Sequence, residues 1–320
     1  MKILITGING FVGGHLAERL SANPLYQLYG IARTSTLSLP SLQGRVTLVN
    51  LDLRDTDALK QCLAEVTPDV IIHLAAQASV AKSFSDPLGT MHDNVMPSVA
   101  LMQYAVELKL DPLYIFAGSN EIFGMVAPDE MPIAEQQPLR PVTPYGVSKA
   151  TVDMAAYQWF ISHKVRTIRL RLFSHIGPRQ SDAYAISAFA AQIAKIEAGL
   201  QEPVLKVGNL SARRDITDVR DVAAAYEALI THGQPGQAYN VGAGQSHEIR
   251  HLLDQLVSYS TVPIQVEVDP ARLRPVDVPD VVCDNRLLTA HTGWRPQIPV
   301  TQTMHDILAY WRHTIKESKA

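Results

Sequence analysis

The chain of 320 residues has only two cysteines, Cys62 and Cys283, too far apart in sequence for a disulfide framework or a zinc motif. No metal is expected from its eleven histidines either. No basic excess is present: the net charge of -3 argues against a nucleic-acid or anionic-membrane surface. No apolar run approaches the length of a membrane span, and Met1-Lys2-Ile3-Leu4-Ile5-Thr6-Gly7 enters a strand directly, without a signal-peptide layout. Internal repeats and low-complexity segments are missing too. A cytoplasmic protein with neither nucleic-acid nor membrane partners is therefore expected. With 47% hydrophobic and 18% charged residues, its composition is that of a soluble globular enzyme, large enough for one big domain or two sharing an interface.

What is there begins with alternation. Short apolar runs at 2–6, 27–32, 46–51, 70–74 and 113–117 read as buried strands. Segments 11–22, 57–65, 95–108 and 145–163 read as helices, and 166–172 and 238–241 as the last strands of the same sheet. Strands alternating with helices predict an α/β fold, a doubly wound parallel sheet of the Rossmann type covered on both faces. After about residue 172 the pattern loosens: helices at 186–199 and 221–231, strands at 204–207 and 263–268, and a proline-punctuated loop at 272–279. These predict a smaller mixed α/β lobe over the carboxyl ends of the first sheet. The expected division is a cofactor domain of residues 1–172 plus about 215–245, and a substrate domain of 173–214 and 246–320.

The first strand-to-helix turn, Thr6-Gly7-Ile8-Asn9-Gly10-Phe11-Val12-Gly13, has the spacing of a dinucleotide-binding fingerprint. Gly7 permits the tight turn, Gly10 lets a pyrophosphate approach the backbone, and Gly13 lets the helix lie close to the sheet. Asn9, Phe11 and Val12 line the same turn, and the helix N-terminus offers N–H groups to phosphates. The second strand ends in Gly30-Ile31-Ala32-Arg33, without the carboxylate that usually holds NAD ribose. Arg33 suits the 2′-phosphate of NADP(H), with NAD(H) the alternative. Asp52 and Leu53 would flank the adenine, and Leu74-Ala75-Ala76 are small enough for backbone to pass close to the cofactor.

Tyr145-Gly-Val-Ser-Lys149 places a phenol and an ammonium one helical turn apart. The ammonium is expected to favour the phenolate and pull the tyrosine down toward neutral pH. Ser119 stands before Glu121-Ile122-Phe123-Gly124, and the three motifs together point to nicotinamide-dependent chemistry on a carbonyl or carbinol.

Taken in order, the glycine turn, Leu74-Ala75-Ala76, Ser119 and Tyr145-x-x-x-Lys149 resemble the extended short-chain dehydrogenase/reductase family acting on nucleotide-diphosphate sugars. The resemblance spans nearly the whole chain. It implies Tyr145 as general acid/base on the sugar C4 oxygen, Lys149 on the nicotinamide ribose, and Ser119 as a donor to the carbonyl oxygen. The runs 205–210 and 213–221 are similar to the nucleotide-sugar half of GDP-mannose-type members, which implies roles in substrate binding for Lys206, Val207 and Asn209 and a diphosphate clamp at Arg214. Arg274-Pro275-Val276-Asp277 resembles a second clamp, Arg274 on phosphate and Asp277 on ribose.

Runs 121–125, 138–150, 175–178, 284–286 and 292–296 are most similar to GDP-4-keto-6-deoxy-D-mannose reductases. The implied reaction is NADPH-dependent reduction to GDP-D-rhamnose by a homodimer. A GDP-mannose 4,6-dehydratase, in which Glu121 removes a proton, stays open, as do another nucleotide-sugar epimerase or a reductase of opposite stereochemistry, and a silent NADP-binding sensor. The chain departs from these members at three places: Ser174 stands for asparagine, Arg179 for glycine at the mouth of the site, and Phe123 for tyrosine in a packing position. Ser174 and Arg179 are counted with the substrate residues.

Overall fold

Lys2–Thr6 (β1) is buried from Ile3 onward and runs into the helix Phe11–Leu20 (α1). The computed structural model describes residues 1–273 and 278–318. The chain continues through Gln27–Ala32 (β2), Val46–Asn50 (β3), Thr56–Val66 (α2), Val70–His73 (β4), Val80–Ser85 (α3), Pro87–Glu107 (α4), Leu113–Ala117 (β5), Pro144–His163 (α5) and Thr167–Leu172 (β6). Ser174–Ile176 (β7), Ala185–Glu197 (α6), Val204–Val207 (β8), Arg213–Asp218 (β9), Val219–His232 (α7) and Ala238–Val241 (β10) follow. Ser246–Glu248 (β11), Ile249–Ser258 (α8), Gln265–Val268 (β12), Arg286–Thr292 (α9) and Val300–Glu317 (α10) end the chain.

The central sheet has seven strands in the order β10-β6-β5-β4-β1-β2-β3, every pair parallel. This is the expected doubly wound fold, and its strand order reverses between β1 and β4, where such sheets open a crevice for ligands. One face packs on α1 and α7 through Leu16, Leu20, Val222, Tyr226 and Leu229. The other packs on α2, α4 and α5 through Leu59, Leu63, Leu101, Val152 and Ala156. Strands buried on both faces read as continuous apolar runs, so their positions were legible from sequence.

A three-stranded sheet, β11-β9-β7, and a parallel pair, β12-β8, lie outside the main sheet. With α6, α8 and α10 they enclose a third apolar cluster containing Phe189, Ile193, Leu205, Leu253, Met304 and Ile307. Residues 213–218 join this small sheet, and the return to the first core begins with α7 at Val219. Leu288 of α9 and Trp294 pack into the first core as well.

Candidate active site

The glycine turn closes as its residue types require. Gly7 has φ +73°, and a Cβ there would lie 2.9 Å from the Ala75 nitrogen; a Cβ on Gly13 would collide with the Gly7 carbonyl. The space above the turn therefore belongs to backbone alone, which is the cradle a pyrophosphate needs. Leu74-Ala75-Ala76 run alongside, with Leu74 N–H donating to Thr6 O and Ala75 N–H to Thr6 Oγ1, both at 3.2 Å. Asn9 holds the neighbouring loop: its Nδ2 donates to Thr34 Oγ1 and Thr36 O at 2.8 Å, and its Oδ1 accepts from Ser38 N–H. This loop carries the exposed Arg33. At the end of β3, Asp52 accepts a two-pronged bond from Arg54, whose guanidinium holds the carboxyl down at about 2. Leu53 beside it packs against the core. Val12 packs on the opposite core, and Phe11 stacks on His175 with ring centroids 6.0 Å apart.

Pro144 opens α5, and Thr143 caps it by accepting from Gly146 N–H at 2.9 Å. The cap sets Tyr145 in the first turn and Lys149 in the second. Both are buried, and Lys149 Nζ donates to Ala117 O at 2.8 Å while standing 5.9 Å from the Tyr145 ring centroid. Ser119 caps the turn after β5, accepting from Glu121 N–H at 3.2 Å, and its hydroxyl lies beside the Tyr145 phenol. Glu121 accepts from Thr143 Oγ1 at 3.4 Å. Serine, tyrosine and lysine thus meet at the carboxyl edge of β5, across the crevice from the glycine turn.

The expectation of a tyrosine pulled toward neutral pH is overturned here. Burial raises the phenol, and the Ser119 hydroxyl beside it opposes this only in part. Burial also pushes the Lys149 amine down to about 8, so the desolvation of both groups outweighs their proximity. Beneath the pair lies a buried polar network that periodicity did not reveal. His73 bridges Thr6 Oγ1 at 2.7 Å and Ser98 Oγ at 3.0 Å, and burial holds it neutral, near 3. Asn94 donates to Ser148 Oγ and accepts from Gln77 N–H. Thr6 and His73 are register partners in β1 and β4, so polar residues closing two apolar strands were the available signal.

The substrate-side residues are less concentrated. Ser174 is half-buried on β7, next to His175. Arg214 on β9 donates to Val278 O at 2.7 Å. Lys206 is exposed on β8, Asn209 caps a turn at Ser211, and Val207 is fully buried with its carbonyl accepting from Asp269. The structure thus gives the Val207 side chain a core position rather than a binding one. Arg274 and Asp277 lie outside the described residues. Arg179 does not reach for the mouth: it has φ +74° and turns back onto α1, bonding His15 and Glu18. Phe123 is buried against Phe173, a packing position.

The run His247-Glu248-Ile249-Arg250-His251 has a metal-ligand spacing, against the expectation that the histidines offer none. The structure splits it, with His247 on β11 and His251 exposed on α8, so the two do not share a helix face. Among the described residues no group of three histidine, cysteine, aspartate or glutamate side chains could hold a metal ion. No helix among them is long and apolar enough to cross a membrane.

A Rossmann sheet with a glycine turn at its switch point and a Ser-Tyr-Lys set facing it defines an NAD(P)-dependent oxidoreductase of the extended short-chain dehydrogenase/reductase class. The comparisons agree. The model of the GDP-mannose 4,6 dehydratase family matches residues 4–307, and the chain belongs to that family. It is 34% identical over 99% of both chains to the GDP-6-deoxy-D-mannose reductase of Pseudomonas aeruginosa. It is 27% identical to the GDP-mannose 4,6-dehydratase of Vibrio cholerae, over 96% of this chain and 92% of the other. Its fold matches the structure of RMD from Pseudomonas aeruginosa complexed with NADPH, with a TM-score of 0.85 and 33% identity over 98% and 99% of the chains. A UDP-glucose 4-epimerase from Thermus thermophilus in complex with NAD matches at a TM-score of 0.86 and 28% identity, over 98% and 99%.

Proposed function

We propose that this enzyme reduces the C4 keto group of GDP-4-keto-6-deoxy-D-mannose to give GDP-D-rhamnose, using NADPH. The observation that carries the reading is the grouping of Ser119, the buried Tyr145 and Lys149 one turn further on, whose Nζ is held by Ala117 O, at the crevice where the glycine cradle opens. The full-length similarity to a GDP-6-deoxy-D-mannose reductase supports the substrate class.

In this reading Gly7, Asn9, Gly10, Phe11, Val12 and Gly13 hold the pyrophosphate end, Arg33 the 2′-phosphate, Asp52 and Leu53 the adenine, and Leu74-Ala75-Ala76 the passage to the nicotinamide. NADPH, when bound, supplies the hydride. Tyr145 gives its phenolic proton to the C4 oxygen, turning the carbonyl into an alcohol. Ser119 donates to that oxygen as negative charge develops on it. Lys149 holds the nicotinamide ribose and keeps positive charge beside the tyrosine. Ser174, Lys206, Asn209 and Arg214 are assigned to the nucleotide sugar, as are Arg274 and Asp277 outside the described residues, guanidinium groups suiting its diphosphate. The seven-stranded part serves the cofactor and the smaller sheets the sugar.

A cytoplasmic homodimer is part of the same reading. Met96 on α4 and Val147, Met154 and Ile161 on α5 are exposed apolar side chains on the two packed helices, which supports a second copy covering them. Sedimentation should give twice the monomer mass, and Met154→Asp should halve it.

The test pairs purified protein with GDP-4-keto-6-deoxy-D-mannose and NADPH, following loss of NADPH absorbance. A second tube holds GDP-mannose with no reductant. Oxidation in the first tube alone supports the reductase, with product NMR giving the C4 configuration. Ketosugar in the second tube makes the enzyme the dehydratase, with Glu121, two residues beyond Ser119, as the carboxylate that would remove the proton.

A further inference from the structure

The segment after β7 is tied to the cofactor helix by a side chain that no cofactor motif includes. Arg179 adopts φ +74°, a conformation that L side chains rarely adopt. Its Nη2 stands 2.7 Å from His15 Nδ1 and donates to Glu18 Oε2 at 2.7 Å. His15 is buried on α1, and its Nε2 lies 3.0 Å from Pro178 O. One neutral tautomer satisfies both ring contacts: Nε2–H donates to Pro178 and Nδ1 accepts from Arg179. The longer 3.4 Å approach of Arg179 Nε to His15 Nε2 is not a bond in that tautomer. Burial lowers the His15 pKa, in keeping with a neutral ring.

His15 stands one turn beyond Phe11 and meets its ring edge to face, with centroids 5.7 Å apart. Phe11 begins α1 and stacks in turn on His175. Arg179, His15, Phe11 and His175 therefore form a closed bracket around the first turn of α1, the turn whose N–H groups face the cofactor cradle. We infer that Arg179 is a positioning residue for the dinucleotide: it acts through His15 and Glu18 to fix the glycine turn, without touching phosphate. The brace accounts for a strained backbone angle that glycine would adopt freely. The inference deepens the proposed function on its cofactor side and rests on that site being the cofactor site.

Titration with NADPH and with NADH, in the absence of sugar, tests it on Arg179→Gly, Arg179→Lys and Glu18→Gln. Because no sugar is present, the result stands apart from whether the ketosugar is the substrate. The expected outcome for Arg179→Gly is an unchanged or raised melting temperature with both dinucleotides bound roughly three- to tenfold more weakly. Arg179→Lys, which keeps the charge but not the fork, should recover part of the loss. Glu18→Gln changes a partly exposed carboxylate and should weaken both dinucleotides with the fold intact. Dissociation constants within twofold of the parent in both Arg179→Gly and Glu18→Gln would overturn the inference. A loss confined to NADPH would also overturn it, since that marks direct contact with the 2′-phosphate.

Discussion

The Lys149 ammonium donates to the main-chain carbonyl of Ala117 at 2.8 Å, pinning α5 to the end of β5 and holding the amine away from water. That burial pushes its pKa down to about 8, whereas the Tyr145 phenol is pushed up. The basic limb of the pH profile should therefore belong to the lysine. NADPH affinity and kcat/KM are expected to fall as pH rises through about 8, and Lys149→Arg should move that limb out of range. Stability runs the other way. The folded amine loses its proton below the unfolded value of 10.5, so the unfolded chain binds more protons between the two and the fold gains stability as pH rises across that window. Urea midpoints at pH 7.5 and 9.5 check the sign.

Tyr145→Phe removes the proton donor and leaves the packing. Turnover should drop roughly 10²- to 10⁴-fold, the usual worth of a positioned acid. NADPH affinity should stay within about twofold, because the cradle on the other side of the crevice is untouched. Stopped-flow reduction and a direct NADPH titration separate the two. Lost cofactor binding with intact chemistry would contradict the assigned role.

Arg33 is the exposed cation on the loop that Asn9 holds, and Asp52 at the neighbouring strand end is already engaged by Arg54. Arg33→Ala should weaken NADPH binding by roughly tenfold, the loss of one guanidinium–phosphate contact, and leave NADH nearly unchanged. Equal losses for both would assign the arginine to the loop's structure and not to the 2′-phosphate.

How much of this could be read in advance depends on where each side chain finds its partners. The inner strands β1, β4 and β5 are apolar and buried on both faces, and the glycine turn and Tyr145/Lys149 spacing are local, so these were legible. Helix α4 was expected only from residue 95, yet it starts at Pro87 under an Asp86 cap. Its first two turns read as polar because Thr90 and Asn94 face Gln77 and Ser148 and not the apolar core. Strands β7, β9 and β11 pair over long sequence distances and carry little periodicity of their own. Spacing showed an ammonium near Tyr145 but not the burial that outweighs it, and it could not show that the backbone at Arg179 turns its guanidinium onto α1.

Asp215 offers a stability test that does not depend on catalysis. Its carboxylate is buried between the small sheet and the loop after β10, accepting from the N–H groups of Ala243 at 2.7 Å, Gly244 at 2.8 Å and Cys283 at 2.9 Å. Burial raises it to about 6 although those donors pull it down. The folded carboxyl therefore binds a proton that the unfolded one has released, and stability should fall as pH rises from about 4 to about 6. Asn at this position offers one oxygen and turns an NH₂ toward N–H donors, leaving at least one buried N–H without an acceptor. Asp215→Asn should cost about 2 kcal/mol at neutral pH and flatten the dependence between pH 4 and 6. Urea unfolding of both proteins across that range measures this, and a variant as stable as the parent at pH 7.5 would show that Asp215 does not hold those N–H groups.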